Sequence, residues 1–174
     1  MKRFILCLSL GLAVVRVCAQ APVGSRALSR VEVSRQSWPT FSRLNHGDYN
    51  FQFAALQFLL RNQGFLTGTP DGTFDSMRSH PTERAIKSFQ QTRGLKVDGA
   101  VGAQTWAKLC PRLQRGDRGD AVRALQTLLS VKADGVFGFG TETALRKKQK
   151  NFDLKSDGVA GAQTWAALLA PAGD

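Results

Sequence analysis

The chain has little of what covalent chemistry needs. Its 174 residues include three cysteines and two histidines. Cys7 and Cys18 fall in an N-terminal stretch expected to be cleaved away, which leaves Cys110 alone and excludes an intramolecular disulfide in the mature chain. His46 and His80 sit in loop-like sequence with no second ligand at metal spacing, so neither a zinc site nor any other cofactor is expected. No Gly-x-Ser-x-Gly elbow and no Cys–His couple is present. Glu83 and Glu142 occupy equivalent helix-start positions in separate parts of the chain, where the helix dipole accounts for them better than a catalytic pair does. Acidic residues are scarce as well: 13 against 24 Lys and Arg, for a net charge of +11.

Long apolar runs are also missing. Phe4 to Val15 is a stretch of about twelve residues after Lys2-Arg3, within the length of a signal-peptide core. A spanning helix needs about twenty. Val17-x-Ala19 places small residues before a cut, so residues 1–19 read as a signal peptide and the mature chain is expected to begin at Gln20. Arg16-Val17 ahead of Cys18 is a poor context for lipid attachment. The mature chain keeps a charge of about +8 and would favour polyanions such as wall polymers or anionic lipid. Export makes nucleic acid the least natural partner, and stable membrane insertion is not expected.

What is present is a duplication. Asp98-Gly-Ala-Val-Gly102-Ala-Gln-Thr-Trp106-Ala-Lys-Leu109 returns as Asp157-Gly-Val-Ala-Gly161-Ala-Gln-Thr-Trp165-Ala-Ala-Leu168. Upstream, Thr82-Glu83-x-Ala85 matches Thr141-Glu142-x-Ala144, and Gln90 matches Gln149. Further back, Leu44-x-x-Gly47-Asp48 with Leu56-Gln57 matches Leu113-x-x-Gly116-Asp117 with Leu125-Gln126. A unit of roughly sixty residues used twice implies two copies of one small domain. After an exposed leader, 20–37, the copies are expected at 38–110 and 111–170, with a short tail at 171–174. Cys110-Pro-Arg112 makes a joint that proline stiffens.

The pattern within each copy is helical. Phe53, Leu56, Leu59 and Leu60 share one helix face, as do Val122, Leu125, Leu128 and Leu129. Asp48 and Asp117 stand where a carboxylate suits a helix start. Second helices are expected at Pro81–Thr92 and Thr141–Phe152, and short third helices at Trp106–Leu109 and Trp165–Leu169. Gly94 suits a helix C-cap, and Asp153 replaces it in the second copy. Asp-Gly turns at Asp71-Gly72, Asp98-Gly99, Asp134-Gly135 and Asp157-Gly158 lead into helices, because glycine takes positive φ freely. The second copy has Lys148 where the first has Phe89, and Phe152 is placed to refill the gap.

The ordered string Leu-x-x-Gly-Asp…Leu-Gln…Asp-Gly-x-Phe-Gly-x-x-Thr-x-x-Ala…Phe-Gln…Gly-Leu-x-x-Asp-Gly-x-x-Gly-x-x-Thr-Trp-x-x-Leu resembles the peptidoglycan-binding repeat found beside bacterial cell-wall hydrolases. The resemblance covers Trp38 to about Leu169 and implies an all-α protein of two tandem three-helix domains. It implies a non-catalytic role in wall attachment, with peptidoglycan as ligand and a separate wall hydrolase as a companion. Candidate ligand contacts are the turns Asp71-Gly72, Asp98-Gly99, Asp134-Gly135 and Asp157-Gly158, the aromatics Phe74, Phe137, Trp106 and Trp165, and the amides Gln90 and Gln149. Each has a plainer reading. The aromatics suit a small core that needs every large side chain, or a sugar platform if partly exposed. The turns serve backbone geometry or present amides and a carboxylate. The glutamines can donate and accept toward N-acetyl and peptide groups, or tie down a local loop. Arg146, Lys147, Lys148, Lys150 and Lys155 form a basic cluster, either a solvated face or an attraction to wall anions. A minimal wall hydrolase and a charge-driven binder of anionic polymers are the competing functions.

Overall fold

The computed structural model describes residues 51–72 and 81–170. The signal peptide, the leader, Asp48, Phe74, both histidines and the tail lie outside the described residues. Six helices follow in order: α1 Phe51–Asn62, α2 Pro81–Thr92, α3 Ala103–Leu109, α4 Asp120–Leu128, α5 Phe139–Asn151 and α6 Ala162–Leu169. Among the described residues strand pairing is confined to two isolated antiparallel bridges, Leu113 with Ala160 and Arg118 with Val136. The protein is all-α, three helices per repeat.

The apolar faces read from the spacing are the buried ones. Phe53, Leu56, Leu59 and Leu60 are buried in α1, and Val122, Leu125 and Leu129 in α4, with Leu128 half-buried. The two faces meet each other: the most extensive helix–helix contact is α1 against α4. Buried side chains of both repeats therefore belong to one contiguous apolar cluster. The first helix of each repeat covers the apolar face of the other, which a domain of about sixty residues gains from, since its own core is small. One polar device fixes the crossing. The Arg61 guanidinium donates to both carboxylate oxygens of Asp120 at 2.7 and 2.6 Å, and Arg123 donates to the same carboxylate at 2.9 Å. Asp120 is the acidic residue in the first turn of α4. Asp117 has a different task from the helix start expected of it: its carboxylate accepts from the Gln114 amide at 2.7 Å and ties the preceding turn.

α3 and α6 start a turn earlier than expected, at Ala103 and Ala162, because Gly102 and Gly161 end the loop in extended conformation and the helix follows at once. The joint between repeats is pinned to the second repeat at two points. Leu113 and Ala160 exchange backbone hydrogen bonds at 3.2 and 2.8 Å, and the Trp165 indole N–H donates to the Pro111 carbonyl at 2.8 Å.

The first two helices of each repeat end in the same left-handed turn, in which the residue after it bonds back five positions along the chain. Phe65 to Leu60, Leu95 to Gln90, Val131 to Gln126 and Leu154 to Gln149 are these bonds, at 2.8–3.1 Å. The left-handed residue is Gly64 or Gly94 in the first repeat, but Ser130 (φ 56°) and Asp153 (φ 53°) in the second. A side chain costs energy at that φ. Replacing both, Ser130→Gly with Asp153→Gly, is expected to stabilise the protein by on the order of 1 kcal/mol in urea unfolding, the backbone gain being partly offset by glycine's freer unfolded state.

The Phe89-to-Lys148 exchange is not repaired in the way the spacing suggests. Phe89 is fully buried and meets Phe65 edge-on, with ring centroids 5.4 Å apart. In the second repeat Lys148 is half-buried, and Phe152 sits at the C-cap of α5, half-buried and outside the apolar cluster. The second repeat reduces the demand instead: Val131 follows its left-handed residue where Phe65 follows Gly64.

Candidate functional site: twin grooves beside the Asp-Gly turns

Each described Asp-Gly turn is held by a glutamine from the helix before it. Gln90 donates to the Asp98 carboxylate at 3.1 Å, to the Ala100 carbonyl at 2.8 Å and to the Thr105 hydroxyl at 3.4 Å, and its own oxygen accepts from the Gly99 amide at 3.0 Å. Gln149 repeats the set with Asp157, Val159, Thr164 and Gly158 at 3.0–3.2 Å. Gln126 makes it again with Asp134, Val136, Thr141 and Gly135. Gln57 does so with Asp71, Gly72 and Thr82, although the intervening loop is longer. The glycines take φ of 73–78°, which is why this position is glycine in every copy. Leu56-Gln57 and Leu125-Gln126 stand in the repeated string, but nothing local in the sequence shows how far the glutamine side chain reaches.

These clamps fix the carboxylates in ionised form. The Ala100 amide, with Gln90, holds Asp98 below the usual carboxylate range, and the Val136 amide, with Gln126, does the same for Asp134. Burial pushes Asp157 up, but the Val159 amide, Gln149 and Lys155 outweigh it. The Arg61 hydrogen bond lowers Asp120. All four carboxyls therefore bind fewer protons folded than unfolded, so their stabilisation is complete above about pH 4 and is lost as pH falls through their lowered folded values. Thermal melts are expected to be flat from about pH 5 to 7 and to drop steeply below about pH 4. A Tm independent of pH down to 3 would contradict the clamps.

Beside the second turn of each repeat lies a groove. The first has a volume of about 260 Å³ and the second about 540 Å³. Every residue lining the first has a counterpart 59 positions on that lines the second, and eight of the nine pairs are the same residue type, Ala100 and Val159 being the exception. Gln90 with Asp98 and Gln149 with Asp157 are thus brought into the grooves, but the glutamines are 1% exposed with their amides committed to the turn. The exposed polar residues shared by position are Lys96 and Gln104 in the first groove and Lys155 and Gln163 in the second, each lysine paired with its turn carboxylate, Asp98 at 3.5 Å and Asp157 at 3.9 Å. Cys110 and Arg112, from the joint, complete the second. Cys110 packs half-buried against the core, and burial pushes its thiol up.

The remaining candidates lie elsewhere. Trp106 and Trp165 are 0% exposed and Phe137 is 1%, so these rings are core and present no face to a ligand. Asp71-Gly72 and Asp134-Gly135 line neither groove. Of the basic cluster, Lys147, Lys150 and Lys155 are exposed, Lys148 is half-buried, and Arg146 is engaged by Glu142 and the Ser156 carbonyl. Among the described residues no group of three or more His, Cys, Asp or Glu could hold a metal ion, and no helix is long and apolar enough to cross a membrane.

Two copies of a three-helix unit, each with a groove beside a clamped turn, define a duplicated small-domain fold. The chain belongs to the peptidoglycan binding domain family, whose model matches residues 52–109 and 116–168. It is similar to the N-acetylmuramoyl-L-alanine amidase CwlM of Mycobacterium tuberculosis, 36% identical over 104 residues that make up 49% of this chain and 26% of that protein. It is 48% identical to a spore cortex-lytic enzyme of Bacillus cereus over 63 residues, 33% of this chain and 24% of the enzyme. An uncharacterized protein of Kitasatospora aureofaciens is 37% identical over 90 residues, 43% of this chain and 76% of that one. The chain thus spans about a quarter of the length of the two enzymes.

Proposed function

We propose that the protein is exported and binds peptidoglycan without catalysis, through the twin grooves, either anchoring itself to the wall or bringing a separate hydrolase to it. One comparison carries this reading. Exposed positions elsewhere have diverged freely between the repeats: Arg84 against Thr143, Ser88 against Lys147, Gln91 against Lys150. Among the residues that line both grooves, exposed ones are the same twice, Lys96 with Lys155, Ala103 with Ala162 and Gln104 with Gln163. The clamp explains the retained Gln, Asp, Gly and Thr. The lysines face the turn carboxylates at the surface, Lys96 3.5 Å from Asp98 and Lys155 3.9 Å from Asp157, so the retained amide, Gln104 and Gln163, is what the clamp leaves unexplained. Family membership supplies the ligand class. A primary amide suits the N-acetyl and peptide groups that wall fragments present, and each groove adds a surface lysine–aspartate pair beside it.

The test is co-sedimentation of the purified protein with sacculi stripped of protein and teichoic acid, at low and high salt. Pelleting that survives about 0.5 M salt is expected, because hydrogen bonds and packing in a groove are less screened than surface charge. Pelleting lost at moderate salt would favour the second reading, for which the exposed Lys147, Lys150 and Lys155 speak: a basic surface that holds anionic polymers by charge. Release of reducing ends or clearing of a wall suspension would overturn the non-catalytic part.

A further inference from the structure

The two grooves are neighbours along the chain. The first is built on Gly102, Ala103 and Gln104 at the start of α3, and the second takes Cys110, the C-cap of α3, and Arg112 into its wall. Along α3, four residues lie between Thr105 of the first groove and Cys110 of the second, a rise of about 7 Å. Ala103, Gln104, Ala107 and Lys108 of α3 are exposed, and helical spacing gathers them into one polar, low-relief stripe from one groove toward the other. Lys108 and Arg112 make no ion pair or hydrogen bond with the described residues, so two free cations stand on this path. The far end cannot swing away, because Leu113–Ala160 and Trp165–Pro111 fasten the joint to the second repeat and α1 packs on α4.

From this geometry we infer that the grooves are adjoining subsites for one extended wall oligomer, which crosses the exposed face of α3 and places carboxylates near Lys108 and Arg112. The inference rests on the wall-binding reading above and adds that the unit recognised is longer than a single muropeptide. Fixed spacing makes the second contact intramolecular, so an oligomer that fits both grooves binds far more tightly than one repeat unit of it.

Titration calorimetry of the intact protein tests this with three probes from purified peptidoglycan: a disaccharide-peptide monomer, a glycan-linked trimer of it, and a peptide-cross-linked dimer. The monomer is expected to bind weakly at two sites per protein. One of the two oligomers is expected to bind at one per protein, at least about a hundredfold tighter, and which one it is tells whether the path follows glycan or peptide. Ala103→Trp or Ala162→Trp, each filling one groove at an exposed position, should lower monomer stoichiometry to one and bring the oligomer back to monomer affinity. Monomer bound at two sites with neither oligomer tighter would overturn the inference and leave the wall-binding reading standing. No binding of any probe would overturn both.

Discussion

Trp165→Ala is expected to destabilise the protein by about 3–5 kcal/mol, as removal of a fully buried tryptophan does. The side chain does two things at once. Its ring lies in the cluster shared by both repeats, and its indole N–H satisfies the Pro111 carbonyl in the joint. Trp165→Phe keeps most of the volume and loses that bond, so it should cost about 1–2 kcal/mol. Urea unfolding separates the two variants. Wall pelleting at low temperature, where Trp165→Phe is folded, should match the parent, because the ring is not in the groove. A pelleting defect larger than the stability loss explains would return Trp165 to the ligand site.

The second large effect is expected at the clamp. Gln149→Leu keeps size and leaves the Gly158 amide, which sits in a buried turn, without its acceptor. It also takes the donor from the Val159 carbonyl and the Asp157 carboxylate. Unsatisfied buried groups cost about 1–3 kcal/mol each where water cannot reach them, so a loss of about 2–4 kcal/mol is expected. Gln149→Glu is the sharper variant. It keeps the acceptor but sets a second carboxylate against Asp157, so its stability should recover toward low pH while that of the parent falls. The turn that walls the second groove would loosen in either variant, and affinity should fall with it. Hydrogen exchange at Gly158 and Val159 would report the loosening directly.

Much of this architecture is legible in the chain because local rules act alone. The helix faces of α1 and α4 follow from apolar spacing, and the turns follow from Asp-Gly. What is hidden depends on distance. Nothing near Leu56 or Leu125 shows that their helices face each other and join the apolar faces of the two domains in one cluster. Arg61 looks like a surface residue until α4 brings Asp120 within 2.6 Å. Gln90 and Gln149 show only amide chemistry, equally suited to ligand or loop, and the fold puts that amide inward. Gln104 and Gln163 stand in the repeated string, and Lys96 and Lys155 lie two residues before it. Their weight appears only when exposure is known, since a retained residue is informative about a ligand mainly where packing does not require it.

The most direct measurement is pelleting of the protein on stripped sacculi at about 0.5 M salt, parent against the Ala103→Trp/Ala162→Trp double variant, with matched melting curves as control. Both substitutions fill a groove from exposed positions. The twin-groove account predicts that the parent pellets and the folded double variant stays in the supernatant. A folded double variant that pellets as well as the parent would contradict it, and would move the wall-binding surface elsewhere on the molecule.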